Sequence, residues 1–477
     1  MPSAITLAGS SGPLQSFTYA DAPAGNIMTE TDGPGPQTPA SYGYDPGGRV
    51  TQMTPAGGTA TDDYGFDASG NLTTLPTGAA ASYGNAGQLT SSSLSGTTTS
   101  YAYSADGERL SAAQGSTTIA TGSWNGAGQL TAYSTASEAM SAAEYDGDGM
   151  RTSAAFTPSG GQAATQDYLW DGDDLLMDSV NAYIYAVGNA PTEQVSLSTG
   201  AITYLSADSL GSVRGVISSS GALTGTASYD AWGNPGSAGG LTAATPFGYA
   251  SGYTDPDGLI YLLNRYYDPA TGQFTSVDPE LAQTLQPYAY TGGDPVSETD
   301  PTGLATVNLR GVASWAAANV TSWPSEFPDD CTAFTSNALY HGGGDPMTEG
   351  IFADETNDHY WWYQTYQFPH GYARTWSHSW SVAYDLGEHQ LIIGSRFIKY
   401  WNEARPGDII FASWNGDIWE RERPNGQGID HDGVIIRMQD GAPVIAQHTI
   451  NRVDTLAFWL HNGGPDVHVW VFQPNAG

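Results

Sequence analysis

A short glycine-bearing motif that returns six times within the first third of the chain constrains its fold more than any other feature. YDPGGRV (44–50), FDASGNL (66–72), YGNAGQL (83–89), YSADGERL (103–110), WNGAGQL (124–130) and YDGDGMR (145–151) each open on an aromatic residue and carry a polar residue near glycine. Their later glycines, Gly48, Gly70, Gly87, Gly107, Gly128 and Gly149, follow one another at 17 to 22 residues. A period of that length signals stacked repeats. Asp or Asn near Gly marks a turn, and the flanking Thr, Ser, Tyr and Val favour strands, so hairpins are predicted rather than helices. The other reading of this Gly/Ser/Thr-rich composition is a disordered stalk, in which regularly placed aromatics would have no purpose.

Chemistry is confined to the other end. All nine His and the single Cys lie after DPTGL (300–304), as do 11 of the 14 Trp. Residues 1–304 hold 29 acidic and 5 basic side chains, against 20 and 9 in residues 305–477. The first 304 residues therefore read as a scaffold and the last 173 as the part that does the work. At 477 residues the chain has room for two or three domains, each with an adequate core. A net charge of −35 repels phosphate backbones and anionic lipid, so neither nucleic acid nor a membrane surface is expected as a partner. One Cys excludes an internal disulfide and raises the question of a reactive thiol. The start, MPSAITLAGSSGPLQSF, lacks a basic segment followed by an apolar core, and no run approaches the ~18 apolar residues of a membrane span. No signal peptide is read, so export would use another route, or the chain is part of a longer one.

Further along come ADSLGSVRGV (207–216), SYDAWGNPG (228–236), FGYASGYTDPDGLIYLLNRYYDPATGQFTSVDP (247–279) and PYAYTGGDPVSETDPTGL (287–304). With the six motifs before it, this succession resembles the Tyr-Asp (YD) repeats and core of the Rhs family. The resemblance implies a YD-repeat region over 1–200, an Rhs core over 201–304, and a toxin domain over 305–477. It implies a β-rich shell wound from strands, here partial, with a plug at one end. It also implies autocleavage after Leu304 by an aspartyl pair, Asp278 and Asp300, which would share a proton and activate water. The alternative is that both Asp residues cap turns ahead of Pro. A scaffold of 304 residues is short for enclosing a guest of 173, so the shell is either incomplete or truncated.

The lone Cys331 sits in FPDDCTAFTSNALYHGGG (327–344). Pro328, Asp329 and Asp330 supply a helix start, Cys331, Phe334, Ala338 and Leu339 share one face, and three Gly after His341 stop the helix. A thiol at a helix start is favoured as thiolate, although the neighbouring Asp residues oppose this. A buried structural Cys is the plainer reading. A partner base is available in HDGVIIRMQDGAPVIAQHT (431–449), two β-rich runs about Asp440-Gly441. With that turn centre Gln439 pairs with Ala442 and Gly433 falls opposite His448. His431 and His448 then become diagonal neighbours on one face, roughly 7–8 Å apart, with Gly433 leaving room between them. Gln447 is the nearest polar substitute should that register fail.

DDCTAF, then RPGDIIF (405–411), then His opening a strand and a polar residue on the next is similar to the NlpC-like and CHAP cysteine amidases and peptidases. A closer likeness is to an amidase family with a DCTNF-like motif, a SW element and a terminal HT, here DDCTAF, HSW (378–380) and QHT (447–449), over about residues 305–475. That resemblance implies an α+β papain-like domain with Cys331 as nucleophile, His431 as general base and acid, and His448 as orienting third member. The interval between Cys331 and Gly407-Asp408 is long for the family and contains HYWWYQTYQF (359–368), either an aromatic wall for sugars or core. His378, His389, His461 and His468 have no ligand-like spacing, and neither HExxH nor CxxC occurs, so no metal or cofactor is expected. His341 is read as a helix cap. Together these resemblances imply a secreted or cell-surface toxin, delivered to a target cell, whose last domain hydrolyses peptidoglycan amides, with an immunity protein as partner. A deamidase or protease acting on a host protein keeps the same residues. A wall-associated binding protein with an inert Cys331 does not use them.

Overall fold

The computed structural model describes residues 4–9, 12–21, 26–33, 39–185, 190–237, 240–279, 281, 286–304, 309–322, 331–343, 363–368, 371–376, 383, 386, 390, 395–398, 404, 406–413, 431–439, 442–447, 452–462 and 467–474. Backbone packing divides the chain between Leu304 and Ala305.

The part before Leu304 is built almost wholly of antiparallel strands. Ala4–Gly9 to Asp62–Asp63 form a six-stranded sheet, and seventeen strands from Gly65–Phe66 to Leu223–Thr226 form one closed succession. Each strand of that succession pairs with its neighbour in sequence, and the recurring motif makes the joints. In the first motif the Asp45 carboxylate accepts from the backbone N–H of Gly47 and Arg49, at 2.9 and 3.0 Å, while Gly48 N–H closes the turn on the Asp45 carbonyl at 3.0 Å. Asp67, Ser104, Asn125 and Asp146 repeat this pattern. The turn needs a left-handed residue at its fourth position, and the six motif glycines supply it with φ between 73° and 94°. The period seen in the sequence is therefore a hairpin period.

Residues 247–274 fill the scaffold. Phe247, Tyr253, Tyr261 and Tyr266 pack with Leu130, Met140, Tyr168 and Leu205 of the strand succession in one buried cluster. Ion pairs stitch the same layers. Arg151 is fully buried, pairs with Asp255 at 2.6 Å and lies 4.5 and 4.6 Å from the Tyr168 and Tyr261 ring centres. Arg109 pairs with Asp268 at 2.6 Å, and Arg214 with Glu30 at 2.7 Å. A desolvated cation is costly unless it is paired and hydrogen-bonded. Here carboxylates and ring faces meet that need, which accounts for how a strongly acidic scaffold uses its few Arg residues.

After Ala305 the architecture becomes α+β. A six-stranded antiparallel sheet runs in the order Arg396–Ile398, His468–Gln473, Ile409–Ser413, His431–Gln439, Ala442–Gln447, Arg452–Thr455. Its alternating side chains serve two layers. Ile409, Phe411, Val434 and Ala446 face the helices Leu309–Asn319 and Cys331–Asn337, through Val312, Ala316 and Phe334. Ile410, Ile435, Ile445 and Val471 face Leu456 and Trp459 of the helix Leu456–Asn462. A further hairpin joins Tyr363–Phe368 to Gly371–Trp376, so part of the aromatic insert is extended chain.

Candidate functional site

The helix that carries the thiol begins at Cys331 and passes at Ala338 into a π-helical turn ending at Gly343. Every residue from Cys331 to Leu339 is buried, so the single apolar face expected from the sequence is an underestimate. What fills the remaining faces is polar. Thr332 and Thr335 each donate a hydroxyl to the Asp432 carboxylate at 2.5 Å, one to each oxygen. Burial pushes the Asp432 carboxyl above its usual range, while the two hydroxyls and the adjacent His431 pull it back. Thr332 follows Cys331 in sequence and Asp432 follows His431, so this clamp fixes the start of the Cys331 helix against the start of the His431 strand. Cys331 is buried, with Sγ 3.7 Å from Thr332 Oγ1.

The His431 ring is held on two sides. Trp459 lies with its ring centre 5.2 Å away at 43°, and the ring nitrogen Nε2 hydrogen-bonds Oε1 of Gln447. Gln447 in turn donates from Nε2 to Asp454. This corrects the register expected for the hairpin. Gln439 does pair with Ala442, but a bulge between Ile435 and Arg437 inserts one extra residue, so that Val434 pairs with Ala446 rather than with Gln447. The slip brings Gln447, not His448, opposite Gly433, and an added Cβ on Gly433 would sit 3.6 Å from the Gln447 Cβ. A one-residue bulge reverses which residue faces the partner strand, and alternating apolar residues give no sign of it. His448 itself lies outside the described residues, as do Asp440, Gly441 and the HSW element. Gln447 stands where sequence reasoning placed it as the polar substitute for His448, whereas Asp432, Thr332, Thr335 and Asp454 went unassigned; the first three lie within DDCTAFT and HD, and Asp454 lies outside every motif singled out.

A second polar cluster surrounds DPTGL. Arg265 lies between Asp278 and Asp300, at 3.6 and 3.3 Å, with all three side chains buried. Arg265 also donates from Nε to the Gly303 carbonyl, and the Leu304 N–H donates to Asp300 Oδ1 at 3.1 Å. Burial raises the Asp300 carboxyl to about 7, with Arg265 opposing and Asp278 adding to the rise. Gly303 has φ 67°, and a Cβ there would collide with the Leu262 carbonyl. Asp278 and Asp300 thus flank Arg265, and Asp300 also holds the Leu304 N–H.

Among the described residues no group of three His, Cys, Asp or Glu side chains is placed to hold a metal, and no helix is long and apolar enough to cross a membrane.

Comparison with known proteins divides the chain in the same way. The family model "Teneurin YD-shell" matches residues 180–295, and the model "Putative amidase domain" matches residues 315–471. The tRNA3(Ser)-specific nuclease WapA of Bacillus spizizenii is 30% identical over 151 residues, which cover 29% of this chain and 6% of that protein. The double-stranded DNA deaminase toxin A of Burkholderia cenocepacia is 26% identical over 219 residues, covering 39% of this chain and 15% of the toxin. This chain therefore spans only a small part of the curated relatives it matches. A crystal structure of TcdB2-TccC3 aligns with a TM-score of 0.37 at 16% identity, over 63% of this chain and 20% of the other. The chain is thus similar to YD-shell toxin proteins and carries a region similar to an amidase domain.

Proposed function

We propose that residues 305–477 are the toxin domain of a YD-repeat protein and act as a cysteine amidase or peptidase on the peptide amides of peptidoglycan. The observation that carries this reading is the double clamp of Thr332 and Thr335 on Asp432, which fixes the Cys331 helix beside a histidine whose Nε2 is already engaged by Gln447. With Nε2 so held, Nδ1 is the nitrogen that takes the Cys331 proton. The thiolate then attacks the amide carbonyl, and the imidazolium returns the proton to the departing nitrogen. Water, deprotonated by the same ring, hydrolyses the thioester and restores the thiol. Gln447 takes the orienting place that the resemblance gave to His448. The peptidoglycan target rests on the sequence resemblance to the NlpC-like and CHAP cysteine amidases and peptidases, and the toxin role on the names of the relatives.

In this reading the YD-repeat region (1–200) and the Rhs core (201–304) form the scaffold. The Asp278–Asp300 pair activates a water that hydrolyses the Leu304–Ala305 peptide, freeing the amidase domain. The placement of Asp300 and Arg265 on the backbone of Gly303 and Leu304 supports this step.

The deciding experiment incubates the purified full chain with peptidoglycan sacculi and identifies released fragments by mass spectrometry. New amine ends that vanish with Cys331→Ala are expected. Hydrolysis that survives Cys331→Ala would overturn the reading. Untouched sacculi, together with rapid Cys331 alkylation that depends on His431, would move the substrate to a protein amide.

A further inference from the structure

Beyond the Cys331–His431–Gln447 set lies a fourth polar residue in the same line. Gln447 and Arg452 are paired across adjacent strands, and Asp454, two residues on, is the diagonal neighbour of Gln447. Asp454 is buried, and its Oδ2 accepts from Gln447 Nε2 and, at 2.5 Å, from Arg452 Nε. The Arg452 guanidinium is itself seated over the Phe458 ring, 4.2 Å from its centre. Hydrogen-bond chemistry gives this chain a direction. A carboxylate offers acceptors only, so the Gln447 group facing Asp454 must be its NH2. The carbonyl of Gln447 is then the atom that faces His431, and a carbonyl can only accept. His431 must therefore carry its hydrogen on Nε2, which leaves Nδ1 as the basic nitrogen.

We propose that Asp454, braced by Arg452, is a positioning residue that sets the tautomer of His431 by fixing the orientation of the Gln447 amide. The inference rests on the reading of His431 as catalytic base, but the tautomer can be observed whether or not that reading holds. Without an acceptor-only group at 454 the Gln447 amide is free to turn over. It would then offer NH2 to Nε2 and favour the hydrogen on Nδ1, the nitrogen that has to receive the thiol proton. Removing the group that fixes a catalytic imidazole's tautomer costs orders of magnitude in rate in other hydrolases.

The test uses the full chain with 15N-labelled histidine, whose ring nitrogens report tautomer directly; His431 is assigned by loss of its signals in His431→Asn. The expected result is an Nε2–H ring in the native chain and a substantial Nδ1–H population in Asp454→Asn, with the other eight histidines unchanged. Adding Gln447→Glu to Asp454→Asn should restore the Nε2–H ring, because a carboxylate at 447 accepts whichever way it is turned. The rate at which iodoacetamide alkylates Cys331, the sole cysteine, should follow the tautomer. It should fall by about tenfold or more in Asp454→Asn and recover in the double variant. An Nδ1–H ring in the native chain would overturn the proposal without recourse to any variant. So would an unchanged Nε2–H ring in folded Asp454→Asn. A tautomer that shifts as stated while alkylation ignores His431 altogether would leave Asp454 in its role and sink the catalytic reading instead.

Discussion

Asp432 ties the start of the Cys331 helix to the start of the His431 strand. Both of its oxygens are used by Thr332 and Thr335, and a buried polar group that loses its partner costs about 1–3 kcal/mol. Thr332→Val and Thr335→Val should each destabilise the α+β part by roughly that amount in chemical denaturation. Thr332→Val should also slow hydrolysis more than Thr335→Val, because it is the neighbour of Cys331. Cys331→Ala, His431→Ala and the double variant should lose nearly equal activity against sacculi, since nucleophile and base are useless alone; additive losses would show that they do not act together. Asp300 gives a prediction in pH. Its folded-state value, about 7, is raised above the ordinary carboxylate range. Its contribution to stability is thus complete at pH values below that range and is lost as pH rises through about 7. Between about pH 4 and pH 7 the native scaffold should weaken, and Asp300→Asn should flatten that dependence in denaturation curves. An unchanged slope would mean that Asp300 is ionised throughout.

At the scale of elements, the hairpins were legible because a turn is a local event. Asp45 and Gly48 lie within one motif, and every contact that makes the joint is spelled out in five consecutive residues. The same holds for Cys331 opening its helix and His431 its strand. The bulge between Ile435 and Arg437 was not legible, because the run VIIRM alternates equally well with or without it, and what selects it is packing on both faces of the sheet. The clamp on Asp432 was hidden for another reason: Thr335 and Thr332 lie 97 and 100 residues before it in sequence. The turn reading makes a graded prediction. Gly128 has φ 74° and no neighbour nearer than 3.9 Å to an added Cβ, so Gly128→Ala should cost only left-handed strain, about 1–2 kcal/mol. In Gly107→Ala the new methyl also meets the Val277 side chain. Its midpoint of denaturation should fall further than that of Gly128→Ala, and equal costs would show that strain alone decides.

At the scale of the whole molecule, the break in His, Trp and charge after DPTGL coincides with the division of the backbone between Leu304 and Ala305, and the two family matches, 180–295 and 315–471, lie on either side of it. Intact-mass measurement of purified chain should show two pieces that part at that bond, and a single uncut mass for Asp300→Asn. Two pieces in the variant would remove Asp300 from the cut. The scaffold's connectivity bears on how it comes into being. Strand pairs with next strand along the whole succession from Gly65 to Thr226, so each addition closes only a short loop. Such a wall can be laid down in the order of synthesis, while the ribosome is still making the rest of the chain. The tethers that cross it, Arg109 to Asp268 and Arg151 to Asp255, wait for residues made more than a hundred positions later. Asp278 and Asp300 emerge after both tethers. The connectivity thus permits a clock set by translation, in which the wall rises first, the filling locks it, and the segment around Asp300 is seated after both.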